Sequence, residues 1–254
     1  MCYIFILLFT LSAYDLVAQN KLIHVYVALC DNEFQGIVPV PESIGDGTKP
    51  STNLYWGAGY GVYHFFNRKS QDWTLIEVPE SQNPLVLARA LFKHCEKDIY
   101  LLADAYEGQY IQDCTEDFLR SANGQYPDSV MVNGQPLVFG GGADLLAYVG
   151  HNGLMDFEVE MTYKPVNLAD QKEVMILGCY SKSYFAEEIK KADALPLLWT
   201  THLMAPEAYT LHSAIEWWVY NESGKEIEER AAQVYHQYQK CGIRGARNLF
   251  ATGF

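Results

Sequence analysis

The sequence predicts an α/β protein: a three-layer sandwich with a six-stranded, mostly parallel sheet and helices on both faces. Short apolar runs alternate along the chain with longer amphipathic stretches, as they do in β-α-β units. Residues 22–30 (LIHVYVALC) are apolar almost throughout, which is typical of a strand buried on both faces of a parallel sheet. A chain of 254 residues, 49% of them hydrophobic, is long enough to bury such a core.

Further loops, helices and strands are predicted along the chain after the first strand. A Pro- and Gly-rich loop runs from residue 31 to about 52, and residues 53–67 are predicted to be helical despite three glycines. Asn83-Pro84 is typical of a helix start and predicts a helix through residue 94. Asn133-Gly134 predicts a hairpin turn within residues 130–139. The other predicted strands are 72–78, 99–103, 144–150, 173–177 and 197–201, and the other predicted helices are 110–122, 206–220 and 226–240.

The first 19 residues are predicted to be a signal peptide that precedes a single domain, residues 20–254. They contain an apolar run of the right length, and small residues near Ala18 are typical of a cleavage site. The run is interrupted by Asp15 and is short for a membrane span. The expected location is therefore outside the cytoplasm, either periplasmic or secreted. The alternative is that this run is a buried strand or helix of the fold.

The charge and the cysteines exclude several classes of function. A net charge of −13 argues against nucleic-acid binding, and it disfavours adsorption of the processed chain to anionic membranes. None of the six cysteines has a Cys or His neighbour at zinc-finger spacing, so we expect neither a structural metal nor a cofactor. The sequence does not define an oligomeric state.

Polar residues at the ends of the predicted strands are the first candidates for a functional site. In a parallel α/β sheet the active crevice lies beyond the carboxyl ends of the strands. The residues at those positions are Asp31, Asp104, His151, Cys179, Thr200 and His202.

Two of these strand ends share one design. The segment ADLLAYVGHNG is an apolar strand followed by His151, and EVMILGCYS is an apolar strand followed by Cys179. If the two strands are neighbours, the imidazole and the thiol lie side by side, and the imidazole can generate the reactive thiolate. Glycines beside both residues leave backbone N–H groups free to stabilise an oxyanion.

These two segments resemble the cysteine peptidases of the caspase–hemoglobinase superfamily. Members of that group carry an apolar strand that ends in His-Gly and a later apolar strand that ends in the nucleophilic Cys. The resemblance implies acyl transfer on a peptide or protein substrate, with Cys179 as the nucleophile and His151 protonating the leaving amine. It also implies an oxyanion site formed by the N–H of Cys179 and one N–H after the histidine. Because Asn152 lies between His151 and Gly153, either Asn152 or Gly153 can supply that N–H.

The same resemblance implies a polar pocket for the substrate side chain. Asp31 and Asp104 are the acidic candidates for its wall and predict a preference for Arg or Lys, while Thr200 and His202 are further candidates for substrate contact. Three alternatives stay open: an inactive relative that binds a peptide or partner, a different thiol hydrolase such as an amidase or esterase, and a metal site formed by His151, Cys179 and His202. Asp156 and Glu158 either orient His151 or are exposed loop acids.

Overall fold

One large sheet dominates the computed structural model, which describes residues 20–254. Its strands are β1 (Lys21–Ala28), β2 (Trp73–Glu77), β3 (Val86–His94), β4 (Ile99–Tyr106), β7 (Leu145–Val149), β8 (Glu173–Leu177), β9 (Leu195–Thr200) and β10 (Phe250–Ala251). These eight strands lie in the order β10-β9-β8-β7-β1-β4-β3-β2. The five strands β9, β8, β7, β1 and β4 are parallel, whereas β2, β3 and β10 pair antiparallel with their neighbours. The protein is therefore α/β with a large, mostly parallel sheet.

All six strands predicted from the sequence belong to this sheet, but the predicted number of six is wrong. Residues 86–94 form strand β3 instead of the predicted helix, and the short strand β10 adds a further edge. The predicted hairpin is confirmed as a separate two-stranded sheet of β5 (Pro127–Val132) and β6 (Gln135–Gly140), with Asn133 and Gly134 both at positive φ in the turn. The predicted signal peptide lies outside the described residues.

Helices contribute to two apolar clusters on either side of the sheet. They are α1 (Val62–Arg68), α2 (Ile111–Ala122), α3 (Ser181–Lys191), α4 (Ala208–Val219), α5 (Gly224–Gln239) and α6 (Ile243–Leu249). Side chains alternate along β1, so Val25 and Val27 join a cluster with α1, α4, α5 and α6, while Tyr26 and Ala28 join a cluster with α2 and α3. Within residues 20–254, no helix is both long and apolar enough to cross a membrane.

The predicted helix at residues 53–67 forms only in its second part, as α1. The preceding segment is a series of turns, and Asn53 fixes it to the end of β1. The Asn53 side chain donates to the carbonyl of Cys30 at 2.8 Å and accepts from the N–H groups of Cys30 and Tyr55 at 3.0 and 3.1 Å. This network holds Tyr55 beside the carboxyl end of the sheet.

Candidate active site

His151 and Cys179 lie at the same edge of the sheet because β7 and β8 are adjacent parallel strands. Val149 is in register with Leu177, and each candidate residue follows its strand by two positions. Both residues line one cleft of about 280 Å³. The sequence-based expectation that the two strands are neighbours is confirmed. His151 is 6% exposed, and Cys179 is partly exposed.

The turn that leads into His151 depends on a glycine. Gly150 has a φ of +147°, and a Cβ atom added there would lie 2.7 Å from the carbonyl oxygen of Ala28. Its N–H donates to the carbonyl of Leu177 at 3.2 Å, which continues the pairing of β7 with β8 for one more residue. The Tyr148 hydroxyl donates to the carbonyl of His151 at 2.8 Å. These contacts fix the backbone of His151 relative to β8.

The imidazole of His151 is held from one side by a carboxylate. Its Nε2 atom lies 2.6 Å from Oδ2 of Asp156, and the same oxygen accepts a hydrogen bond from the N–H of Gly36 at 3.1 Å. A carboxylate partner favours the tautomer with the proton on Nε2, which leaves the lone pair of Nδ1 available as a base. Asp156 thus orients His151, whereas Glu158 lines a different pocket together with Ser183.

The thiol of Cys179 lies against the backbone of Met204. The N–H of Met204 is 3.4 Å from Sγ, and Sγ is 3.6 Å from the carbonyl oxygen of Met204. A backbone N–H directed at the sulfur is a favourable neighbour for a negative charge there. Tyr180, the next residue, adopts the left-handed conformation (φ 50°, ψ 31°), and α3 begins immediately after it.

Asn152 connects the two strand ends. Its side-chain Nδ2 donates to the carbonyl of Cys179 at 2.6 Å, and its Oδ1 accepts from the N–H of Leu154 at 3.1 Å. The residue is fully buried. Gly153 is also buried, and a Cβ atom there would lie 2.5 Å from the ring of Phe157. The Asn152 side chain therefore ties the two strand ends together, whereas neither Asn152 nor Gly153 lines the cleft itself.

Thr200 lies beneath Cys179 rather than in the cleft. It is completely buried, and its hydroxyl donates to the carbonyl of Gly178. Its N–H donates to the hydroxyl of Ser181 at 2.8 Å. Thr200 supports the turn that carries Cys179, so the structure does not give it the predicted contact with a substrate.

His202 lies at the exposed rim next to this turn. Its carbonyl accepts from the N–H of Tyr180 at 3.0 Å, and its ring Nδ1 lies 2.7 Å from the hydroxyl of Thr201. The exposed ring is adjacent to the Tyr180 ring, with 6.0 Å between the centroids. It is the one predicted contact residue that stays open to solvent beside Cys179.

Asp104 is not part of the cleft, contrary to the prediction that it lines a substrate pocket. β4 continues to Tyr106, so Asp104 lies within the strand and is 1% exposed. The guanidinium of Arg89 donates to both of its carboxylate oxygens at 2.6 Å, and Nε2 of His24 lies 3.0 Å from Oδ2. Burial alone would raise the pKa of Asp104, but the hydrogen bonds from His24 and Arg89 outweigh it and lower that pKa. Both carboxylate oxygens of Asp104 therefore already have partners inside the protein.

Asp31 shapes the wall of the cleft without lining it. It is 4% exposed, and its Oδ1 atom accepts from the N–H groups of Glu33 and Phe34 at 2.9 and 3.2 Å. This turn directs the following residues, Gly36, Ile37 and Val38, into the cleft. The role of Asp31 is therefore local, in the backbone of the loop.

The side chains that do line the cleft around the candidate dyad are mostly apolar. They come from four segments far apart in the chain, which is why strand-end reasoning missed them: Ile37, Val38, Tyr55, Met155, Leu203, Met204 and Pro206. Within residues 20–254, the residues that line this cleft include no Asp, Glu, Lys or Arg. The available signal in the sequence was the apolar stretch IVPVP inside a loop, where polar residues are usual.

A second cluster of titratable groups lies away from the cleft. Within residues 20–254, ligand atoms of Asp72, His212 and Glu216 lie within 4.8 Å of one another, close enough to hold a metal ion. Two of these three residues already have hydrogen-bond partners in the protein. Nε2 of His212 lies 2.8 Å from the Ser70 hydroxyl, and Glu216 accepts from the indole N–H of Trp73 at 2.6 Å. The cluster includes neither His151 nor Cys179.

His151 and Cys179 line one cleft, and the carboxylate of Asp156 lies against Nε2 of the imidazole. A thiol and an imidazole that line one cleft, the imidazole with a carboxylate partner, are side chains that nucleophilic catalysis uses. Comparison with known proteins adds no family to this description: no family model, no curated protein and no solved structure matches the chain.

Proposed function

We propose that this protein is a cysteine endopeptidase of the caspase–hemoglobinase type that uses a dyad of Cys179 and His151. The observation that carries the proposal is that His151 and Cys179 follow adjacent parallel strands and line one cleft, with Asp156 in contact with Nε2 of the imidazole. A single α/β domain over residues 20–254, arranged as a three-layer sandwich, belongs to the same proposal. The apolar clusters on both sides of β1 support that arrangement.

The reaction begins with transfer of the thiol proton of Cys179 to Nδ1 of His151. The thiolate sulfur attacks the carbonyl carbon of a peptide bond, and negative charge develops on the carbonyl oxygen. The N–H of Cys179 and an N–H of Asn152 or Gly153 stabilise that oxyanion. The imidazolium gives its proton to the leaving amine, and a thioester remains on Cys179. Water activated by His151 hydrolyses the thioester and restores the thiol.

Asp156 contributes by stabilising the imidazolium between these steps. Its hydrogen bond to Nε2 places the ring and compensates its positive charge. The second contact of Asp156, from the N–H of Gly36, connects the ring to the loop that lines the cleft. An ordered loop and an oriented base are thus parts of one hydrogen-bonded unit.

The substrate in this proposal is a peptide or protein met outside the cytoplasm. The preference for a basic residue that the sequence suggested depended on Asp31 and Asp104. Neither carboxylate lines the cleft, so the proposal does not include that preference. An inactive relative and a small-amide or ester hydrolase are the competing functions, and the following experiment separates them.

The test is alkylation of the purified full chain with iodoacetamide between pH 5 and 9, followed at each cysteine by mass spectrometry. We expect Cys179 to react faster below pH 7 than the exposed Cys95 and Cys241, and we expect His151→Ala to remove that difference. Equal rates at the three cysteines would overturn the dyad and favour the inactive relative. Turnover of small esters or amides without cleavage of peptides would favour the other thiol hydrolase.

A further inference from the structure

We propose that the cleft beside Cys179 binds an apolar side chain of the substrate, and that an apolar subsite formed by Ile37, Val38, Tyr55, Met155, Leu203, Met204 and Pro206 selects it. The inference deepens the proposed function and rests on it, because it assigns the residue on the acyl side of the scissile bond. It replaces the basic preference expected from the sequence.

The first argument is the charge of the lining. None of the seven residues of the apolar subsite carries a charged group. A Lys, Arg, Asp or Glu side chain that enters such a cleft loses water and gains no ionic partner, which is unfavourable. Burial raises the pKa of the one titratable group among them, the phenol of Tyr55, so it stays neutral at physiological pH.

The second argument is the exposure of large apolar side chains at the mouth. Val38 is 88% exposed, Leu203 is 66% exposed and Met155 is 37% exposed, yet they belong to three different segments of the chain. A contiguous exposed apolar patch on a soluble surface marks a place where a ligand or partner binds. Here the patch surrounds the candidate nucleophile, so the ligand that covers it is the substrate.

The third argument is size. The cleft of about 280 Å³ is slightly smaller than the usual range for ligand pockets, about 300–1,000 Å³. Such a space suits one side chain of the size of Leu or Met. The backbone around it is also fixed, because Asn53 holds Tyr55 and Asp31 holds the loop before Ile37.

Peptidyl chloromethyl ketones that differ only in the side chain next to the ketone test the inference without requiring turnover. The second-order rate of Cys179 modification is measured for Leu, Met, Arg and Asp probes by mass spectrometry of the full chain. We expect the Leu and Met probes to react at least about tenfold faster than the Arg and Asp probes. Equal rates, or faster reaction of the Arg or Asp probe, would overturn the inference.

A rim variant tests whether the apolar subsite sets this preference. Val38→Asp changes a side chain that is almost fully exposed, so we expect the variant to fold as the wild type does and to reduce the Leu-to-Arg ratio at least about fivefold. Leu168→Asp introduces the same charge at a residue that is 85% exposed and lies outside the cleft, and it should leave the ratio unchanged. An unchanged ratio in Val38→Asp, or the same change in both variants, contradicts the subsite.

The iodoacetamide rates separate this inference from the proposed function. Iodoacetamide carries no side chain, so its rate reports the reactivity of Cys179 alone. A reactive Cys179 that shows no apolar preference overturns the subsite and leaves the cysteine hydrolase in place. A Cys179 that is no more reactive than Cys95 overturns the proposed function, and the inference with it.

Discussion

Gly150 holds the chain in a conformation that a side chain would strain, directly before His151. Its φ of +147° and the 2.7 Å approach of an added Cβ to the Ala28 carbonyl both oppose substitution. We expect Gly150→Ala to lower the free energy of unfolding by about 1–3 kcal/mol in chemical denaturation. Gly59→Ala is the matched control, since a Cβ there meets nothing within 4 Å and should change stability by less than about 0.5 kcal/mol. Equal losses in the two variants would contradict this role of Gly150.

In the proposed mechanism, Asp156 acts on the reaction through His151, as a positioning residue. We expect Asp156→Asn to lower kcat for peptide cleavage at least about tenfold with little change in KM, because an amide neither stabilises the imidazolium nor fixes its tautomer. The pH profile of Cys179 alkylation should shift as well, which a merely structural role would not produce. Glu158→Gln removes an exposed carboxylate two residues along the same segment and should change neither quantity. A loss of activity without a change in the pH profile would count against positioning.

His212 makes stability depend on pH. Burial lowers the pKa of His212 to about 4, whereas an unfolded chain has a histidine pKa of about 6.5. The unfolded state therefore binds more protons between these values. The contribution of neutral His212 to stability is complete above pH 6.5. As the pH falls towards 4, the free energy of unfolding decreases by up to about 3 kcal/mol because the unfolded chain takes up the proton first.

The control for this effect is His212→Gln, which stays neutral at every pH. Burial raises the pKa of the neighbouring Glu216, and that carboxyl has the opposite effect on stability at acid pH. The quantity to measure is therefore the difference between wild type and variant in urea unfolding from pH 7.5 to 4.5. We expect the wild type to lose more stability than the variant, and parallel curves would show that His212 titrates normally.

At the scale of elements, strand β3 shows where sequence reasoning failed. The segment VLARALFKH contains good helix formers and follows Asn83-Pro84, so its local preference is helical. In the protein it lies between β2 and β4, and Ala90, Leu91 and Phe92 are completely buried. Its arginine is directly in register with Asp104 of β4, and pairing across strands is not visible in the spacing of a single sequence. Tertiary pairing therefore determines this element.

The pair of Arg89 and Asp104 gives a prediction for the same two strands. Arg89 also donates to Asp128 of the β5–β6 hairpin, so one guanidinium links β3, β4 and the hairpin. We expect Arg89→Met to destabilise the protein by about 3–5 kcal/mol, because it leaves a buried carboxylate with His24 as its remaining partner. Arg247→Met removes an exposed arginine whose acidic partner is Glu229 and should cost less than about 1 kcal/mol. Thermal unfolding of both variants measures the contrast, and a small effect at residue 89 would contradict it.

The reliable predictions were those that depend on one strand and its end. The apolar runs identified six strands of the sheet, and the strand-end rule brought His151 and Cys179 to one edge. The rule failed for Asp104 because β4 runs on past it to Tyr106. It could not identify Val38 or Leu203, since loop residues enter a cleft through tertiary folding and carry no periodic signal. The sequence therefore predicted that His151 and Cys179 meet at one edge of the sheet, but it did not predict which residues line the cleft around them.

At the scale of the whole molecule, burial differs strongly between the central sheet and the hairpin. Every residue of β7 is buried, whereas exposed residues alternate with buried ones in β5 and β6. We expect hydrogen exchange of β1 and β7 to be the slowest in the chain, and we expect the hairpin to exchange earlier by local opening. Exchange of peptides from both regions, followed by mass spectrometry at pH 7, is the measurement. Simultaneous exchange would show that the hairpin and the sheet open as one unit.

The central strand of the sheet is also the first described strand of the chain, and this order has a consequence for biosynthesis. Ile23 in β1 pairs with Leu101 on one side and with Leu145 on the other. At about 5–20 residues per second, the ribosome needs several seconds or more after β1 to make its second partner. During that interval β1, which is largely buried in the folded protein, lacks its partner strand β7. We therefore expect the nascent chain to be most prone to aggregate before β7 has been synthesised.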